Sequence, residues 1–245
     1  TKQATGKIDS PSVEENVAKA RALVHAGAKE IRITGQDTGV YGWDRNQGES
    51  LLPELLERIC TEIDGDFRVR VGMANPKGVH GVREELAEVF AEQEKLYNFL
   101  HAPVQSGSDE LLADMRRQHS VSEYVEVVET FDEVLEYWTL STDFIVGFPT
   151  EEEADHRQSL ALFRETRPEK VNVTRFSKRP GTDAADMKGL GGQTKKDRPK
   201  EMTEVKTEIV GEAYESMVGQ ESEVLRVEDG TGESLVGYGS ASRQV

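Results

Sequence analysis

EIRITGQDTGVYGWD, Glu30–Asp44, opens as a strand in which Ile31 and Ile33 alternate against charged neighbours, then breaks into glycine, amide, carboxylate and aromatic residues. A period of two marks a half-buried strand, and the polar burst marks its exit. The pattern recurs on both sides of this stretch. Before it, Val13, Val17, Ala20 and Val24 fall on one helical face, with a Ser12 to Glu15 capping box at the start and Gly27 just past the end. After it come a helix with Leu52, Leu55, Leu56 and Ile59 behind Pro53, the strand FRVRVGMANP, and a helix through Leu86, Val89 and Phe90. NFLHAPVQSGS is the next strand and its exit. A helix over Tyr124–Leu135, the strand TLSTDFIVGFP, a helix with Leu160, Leu162 and Phe163, and the strand KVNVTRF complete the series. Strand and helix in alternation imply right-handed crossovers and a parallel sheet, open or curled into a barrel. The fold class is therefore α/β.

The first element is a helix with no strand before it, so the chain is expected to start inside a βα unit. At the other end, ESEVLRVEDGTGESLVGYG reads as two strands joined at Asp229 to Gly232, and a lone hairpin is marginal. The chain is thus expected to be a middle piece of a longer protein.

The 245 residues, 36% of them hydrophobic, suffice for one large domain or one with a small appendage. No run approaches the roughly 20 apolar residues of a membrane span, and no secretory signal is visible, so no membrane association and a cytoplasmic location are expected. Cys60 is the only cysteine, which excludes an internal disulfide and a cysteine-built metal cage; a core position is expected for it. The net charge of −16 argues against a polyanion partner on its face. Its distribution matters more. Between Lys170 and Lys200 nine basic residues face three aspartates, a local +6, leaving −22 on the remainder. We read the acidic remainder as the coat of a salt-adapted protein. The basic stretch is open to two readings, a solvated loop with a helix start or a face for nucleic acid.

Parallel α/β sheets bind ligands at the carboxyl ends of their strands, where loops supply backbone donors and helix starts. Five successive exits are decorated there: TGQD (Thr34–Asp37), GMANP (Gly72–Pro76), PVQSGS (Pro103–Ser108), GFPTE (Gly147–Glu151) and FSKRPGT (Phe176–Thr182). Turn formation explains glycine and proline at these places. It explains Gln36, Asp37, Gln105 and Arg179 less well, and a small-molecule site on this edge is expected.

GAKEIRITGQDTGVYGWD, RVGMANP, FLHAPVQSGSDELLADMRRQHS, STDFIVGFPTE and RFSKRPGTDAADM, in this order, resemble the motifs of the methylthiotransferases. These are radical S-adenosylmethionine enzymes that modify adenosine beside the tRNA anticodon. TGQDTGVYG and RPGTDAADM are most similar to the archaeal and eukaryotic branch acting on threonylcarbamoyladenosine. The resemblance implies a partial (βα) barrel of the radical S-adenosylmethionine type over residues 1–190, lacking its first strand, then a linker and helix over 191–217, and over 218–245 the opening of a small TRAM-like β-barrel that binds RNA. It implies that Gly35 permits close backbone approach while Gln36 and Asp37 offer oxygens to the cofactor's ammonium group, with Asn75 on the neighbouring exit. Gln105 and Ser106 match the place facing the ribose, and Ile145 to Phe148 the segment beside the adenine, with Gly147 and Phe148 expected to bind the cofactor. There the family commonly reads Gly-Phe-Pro-Gly-Glu-Thr, whereas this chain has Thr150 and Glu152 at the fourth and sixth places. Arg179, Gly181 and Thr182 match the last-strand motif, and Arg175, Lys178, Arg179 and Thr182 are expected to face RNA or substrate.

The cofactors so implied are S-adenosylmethionine and 4Fe-4S clusters, and the partner is tRNA; sulfur and electron donors stay unidentified, and a monomer is expected. The family's cluster-binding cysteines, Cys-x-x-x-Cys-x-x-Cys, would stand immediately before Thr1, so this chain alone is expected to be inactive and to hold no metal. The parent protein would cleave S-adenosylmethionine reductively, take hydrogen from adenine C2 with the resulting radical, and place a methylthio group there. The catalytic residues remain unassigned.

Single residues carry their own expectations. His101 reads as a structural histidine, and His25, His80, His119 and His156 as surface positions. Asp143, a carboxylate in a buried strand, needs a partner, either Arg70 or the ligand edge. Two other readings compete: a cluster-free α/β-barrel enzyme, which would want a lysine inside a strand or clustered histidines and carboxylates, and a non-catalytic RNA-binding module.

Overall fold

A computed structural model of the chain describes residues 6–219, 221, 223–229 and 235–241. In chain order the elements begin with α1 (Val13–His25), β1 (Glu30–Ile33), α2 (Leu52–Glu62), β2 (Arg68–Val71), α3 (Pro76–Val79), α4 (Arg83–Glu92) and β3 (Phe99–His101). They continue with α5 (Asp109–Asp114), α6 (Val121–Val134), β4 (Thr139–Val146), α7 (Glu153–Thr166), β5 (Lys170–Arg175), α8 (Asp183–Asp186), α9 (Thr194–Glu215), β6 (Val224–Asp229) and β7 (Leu235–Gly239). Two compact units result: one within Thr1–His101, Glu129–Thr139 and Ser222–Val245, the other within Ala102–Val128 and Leu140–Glu221.

In the first unit α1 starts at the capping box: the Ser12 hydroxyl accepts from Glu15 N at 3.2 Å and the Glu15 carboxylate from Ser12 N at 2.8 Å. Its face of Val13, Val17 and Ala20 is buried. Gly27, at φ 99°, turns the chain toward β1, a left-handed conformation that only glycine takes without penalty. Strand β1 pairs in parallel with β2, Ile31 opposite Val69 and Ile33 opposite Val71. The strand ends at Ile33, one residue before the expected Thr34. Helix α2 tolerates Pro53 in its first turn, where an amide hydrogen would go unbonded anyway, and buries Leu52, Leu55, Leu56, Ile59 and Cys60. Parallel bridges from Val69 to Leu96 and from Met73 to His101 carry the order on to β3. Phe90 meets Phe131 edge to face at 5.4 Å in this core. Strands β6 and β7 pair antiparallel as expected, and Asn98 N donates to Ser240 O at 2.9 Å; their connecting turn, residues 230–234, lies outside the described residues.

In the second unit β4 pairs in parallel with β5, from Ser141 opposite Lys170 to Val146 opposite Arg175, and Gln105 bridges Phe144. Phe144 stacks on Phe163 at 5.6 Å, with Tyr124, Val127 and Leu162 buried in the same unit. Each such side chain contributes roughly 1.5–3 kcal/mol on removal from water. Leu160 is only half-buried, because Ser159 and His156 take the inner positions of α7 instead. Helix α9 carries Pro199 inside it and buries Met202, Val205 and Ile209 along one stripe.

Two single-residue expectations change, and a third is filled in. His119 and His156 are buried, not surface positions: Nε2 of His119 lies 3.1 Å from Val104 O, and Nε2 of His156 lies 3.0 Å from a Glu201 carboxylate oxygen. Polar neighbours waiting inside the fold made burial affordable, and helical spacing does not reveal them. Asp143 accepts from Asn172 Nδ2 at 2.7 Å, across the β4–β5 pair, while the Arg70 guanidinium lies over the Phe99 ring at 4.6 Å.

Candidate functional site

In the first unit the exits of β1 and β2 are stitched together. Asp37 Oδ1 accepts from Gly39 N at 3.0 Å and from Asn75 N at 2.9 Å, and Thr38 gives both its amide and its hydroxyl to Met73 O at 2.9 Å. Gly39 passes directly over Gly78, so the turn lies flat against the start of α3. Asp37 is half-buried, and burial pushes its carboxyl above the ordinary value, against the pull of the two amide bonds. Its Oδ2 has no hydrogen-bond donor among the described residues. Gly35 and Gln36 are exposed beside it. Asn75 caps α3, its side chain accepting from Lys77 N at 3.3 Å. A fixed carboxylate oxygen next to an exposed glycine suits an ammonium group.

In the second unit Gln105 sits at φ 77°, a left-handed conformation held by ladder bonds on both sides: its amide donates to Asp143 O at 2.8 Å and its carbonyl accepts from Ile145 N at 3.0 Å. Strain of this kind at a buried polar residue is a mark of functional sites. Ser106 is placed differently from Gln105. Its hydroxyl is turned into the fold, 3.3 Å from the Ser159 hydroxyl and accepting from Ser108 N at 3.1 Å. Gly147, at φ 81°, donates its amide to a Glu151 carboxylate oxygen at 2.6 Å, and the buried Phe148 meets Phe176 edge to face at 5.0 Å.

Glu151 and Arg198 were not singled out from sequence, yet they hold this loop. The Glu151 side chain is 1% exposed and that of Arg198 is 7%. One guanidinium nitrogen of Arg198 bonds both the carboxylate and the carbonyl of Glu151 at 2.9 Å. Arg198 therefore leaves the basic stretch as a surface charge. Arg117 was also missed. It is half-buried, burial lowers its pKa while Asp143 acts in the opposite direction, and its guanidinium makes no hydrogen bond among the described residues. A partly dry cation without a bonded partner is costly, so Arg117 is suited to an anionic ligand group. Nothing in RRQHS separates it from Arg116, which pairs with Asp183.

Of the residues expected to face RNA, all four are exposed. Lys178 donates to the carbonyls of Ala185 and Met187, each at 2.7 Å, and the Thr182 hydroxyl to Arg179 O at 2.8 Å, so both brace their own loop. Arg175 and Arg179 have no hydrogen-bonded partner for their guanidinium groups among the described residues.

Cys60 is buried and burial pushes its thiol up to about 11, so it stands protonated at neutral pH. No group of three metal-ligating side chains occurs among the described residues. These residues do not fit a 4Fe-4S cluster.

His119 carries a pH dependence. Burial holds it below the ordinary 6.5, opposed by the bond to Val104 O, with Arg117 adding to the depression and Glu123 and Asp109 acting against it. Its Nδ1 is buried without a partner, so protonation would place an unbonded N–H in the core. The folded state then binds fewer protons than the unfolded chain, and stability present above about pH 6.5 is lost as pH falls below it. Urea midpoints measured from about pH 7 to pH 5 should fall more steeply for this chain than for His119→Gln, which keeps a donor for Val104. Parallel slopes would refute the assignment.

The family model described as Radical SAM superfamily matches residues 1–163. The probable threonylcarbamoyladenosine tRNA methylthiotransferase of Archaeoglobus fulgidus is 46% identical over 230 residues, covering 94% of this chain and 53% of that protein. The threonylcarbamoyladenosine tRNA methylthiotransferase of Danio rerio is 36% identical over 229 residues, covering 94% of this chain and 41% of that protein. The chain thus spans about half the length, or less, of these curated relatives. Among solved structures, coproporphyrinogen III oxidase of Escherichia coli, a radical SAM enzyme, superimposes with a TM-score of 0.57 at 17% identity, covering 80% of this chain and 44% of that one. This likeness shows the α/β fold. Among the described residues no helix is long and apolar enough to cross a membrane.

Proposed function

Because this chain belongs to the radical SAM superfamily, we propose that the whole protein is a tRNA methylthiotransferase that places a methylthio group at C2 of N6-threonylcarbamoyl-adenosine beside the anticodon. The observation that carries this reading is the identity to the Archaeoglobus fulgidus protein along nearly the whole chain. S-adenosylmethionine with a 4Fe-4S cluster supplies the hydrogen-abstracting chemistry and the methyl group in such enzymes. This chain's own part is binding and orientation. Asp37, with Gly35 and Gln36, would receive the cofactor's ammonium group; Asn75 keeps the neighbouring exit in place. Gln105, with Gly147 and Phe148, would meet the nucleoside end, and Ser106 would hold the loop on which Gln105 sits. Arg117 would take an anionic group of a ligand. Arg175 and Arg179 would meet RNA phosphate, supported by Lys178 and Thr182.

The finer parts of the reading are a cytoplasmic monomer, residues 218–245 as the opening of a TRAM-like RNA-binding domain following a core over 1–190 and a helix over 191–217, and an acidic coat adapted to salt. Salt adaptation predicts a melting temperature that rises with potassium chloride; a flat or falling response would reject it.

The test is made on the whole protein reconstituted with iron and sulfide, in high potassium chloride. S-adenosylmethionine should bind by calorimetry, and Asp37→Asn should weaken binding about tenfold, the scale of one charge-assisted bond at a half-buried site. Absence of binding in the reconstituted protein, or Asp37→Asn binding as tightly as the parent, would overturn the cofactor assignment. Absence of a methylthio product on an anticodon stem-loop carrying threonylcarbamoyladenosine would overturn the activity.

A further inference from the structure

A cavity of about 640 Å³ lies within the second unit, walled by Gln105, by Asp143 and Ile145 on β4, by Asn172 and Thr174 on β5, and by Lys206 reaching over from α9. Lys206 is the one cation among its described lining residues. The half-buried ammonium is pinned by a 2.8 Å bond to Val171 O. It makes no ion pair among the described residues. Three other cations touching the same helix do: Lys200 pairs with Glu204 at 3.5 Å, Arg167 with Glu212 at 2.5 Å, and Arg198 with Glu151.

The rest of the wall is mixed: Ile145, Val171 and Val173 are apolar, the Asp143 carboxylate is held by Asn172, and Asn172 and Thr174 offer polar groups. Asn172 spends its amide nitrogen on Asp143, at 2.7 Å, which leaves its carbonyl oxygen as an acceptor. Thr174 is exposed and offers a hydroxyl. A ligand suited to this wall carries an anionic group for Lys206 and, beside it, N–H and O–H groups for Asn172 and Thr174. Gln105, assigned above to the nucleoside end of the cofactor, is part of the same wall, so the ligand would sit next to the cofactor.

We propose that this cavity receives the threonylcarbamoyl arm of the substrate adenosine, with Lys206 pairing its carboxylate and Asn172 and Thr174 meeting its ureido and hydroxyl groups. This rests on the function proposed above. The carboxylate is the one charge that distinguishes such a base from an adenosine with an uncharged substituent, so Lys206 is the residue that selects it.

The test uses the reconstituted whole protein and two nucleoside probes, N6-threonylcarbamoyladenosine and its methyl ester, with adenosine as reference. The parent protein should prefer the free acid over the ester about tenfold. Lys206→Gln, which can still donate to Val171 O, should bind both equally, and Lys206→Arg should restore the preference. Circular dichroism melts of the two variants establish that each is folded. Discrimination retained in Lys206→Gln would overturn the assignment while leaving the activity intact, provided the nucleoside still binds better than adenosine. Failure of the parent protein to bind either nucleoside better than adenosine would overturn the assignment and the threonylcarbamoyladenosine reading together; S-adenosylmethionine binding in the same preparation then tells whether the superfamily chemistry survives.

Discussion

Glu151→Ala should cost about 3–5 kcal/mol of folding free energy, read as a drop in the urea midpoint of the second unit. The residue closes three interactions at once: it accepts the Gly147 amide at 2.6 Å, pairs with Arg198 at 2.9 Å, and lies 4.0 Å from His156 Nδ1. With both partners almost out of water, deletion leaves Arg198 charged, buried and short of its acceptor. The remaining carboxylate, Glu153, is 3.6 Å from the guanidinium but 61% exposed, and cannot take over. The loss comes mainly from the orphaned cation, so adding Arg198→Met to Glu151→Ala should recover a large part of it. A single variant losing less than about 1 kcal/mol would mean that water solvates this pair and that it does not brace the Gly147 loop.

Gly78→Ala should destabilise the first unit by about 1–3 kcal/mol, against the sign expected from helix propensity. Propensity alone favours alanine over glycine within a helix by roughly 0.5–1 kcal/mol. At this position, however, a Cβ would come within 2.5 Å of Gly39 C and 2.8 Å of Gly39 O, backbone atoms with no rotamer to yield. Relief requires the turn to lift, and Gly39 N is bonded to Asp37 Oδ1, so the same motion breaks the clamp that holds the Asp37 carboxylate to Asn75 N. Stability and S-adenosylmethionine affinity should therefore fall together. Gly81→Ala is the matched control, since nothing lies within 4 Å of its Cβ. A neutral or stabilised Gly78→Ala would show that the two backbones can part freely.

The two cases differ in how much of them could be read beforehand. Glu151 belongs to GFPTE, a decorated strand exit, but its partner Arg198 lies 47 residues away within a basic stretch. By composition Arg198 is one more surface cation. Only the approach of α9 to the Gly147 loop turns it inward. Similarly Gly78 follows Pro76 in a turn-rich stretch, and no local rule says that another glycine's backbone will pass over it.

By itself the sequence determined the alternation of strands and helices, the capping box at Ser12, the parallel order implied by βα repetition, and the placing of Asp37, Asn75, Gln105 and Gly147 at strand exits. These follow from interactions between near neighbours in the chain: side-chain periodicity, turn chemistry and the caps of helices. Tertiary structure alone decided that His119 and His156 are buried, that Asp143 is met by Asn172, that the Ser106 hydroxyl points into the fold, and that among the described residues Arg117 makes no hydrogen bond and Lys206 no ion pair. Each of these depends on which distant side chain arrives next to a polar group, and burial of such a group is favourable or costly only once that partner is in place.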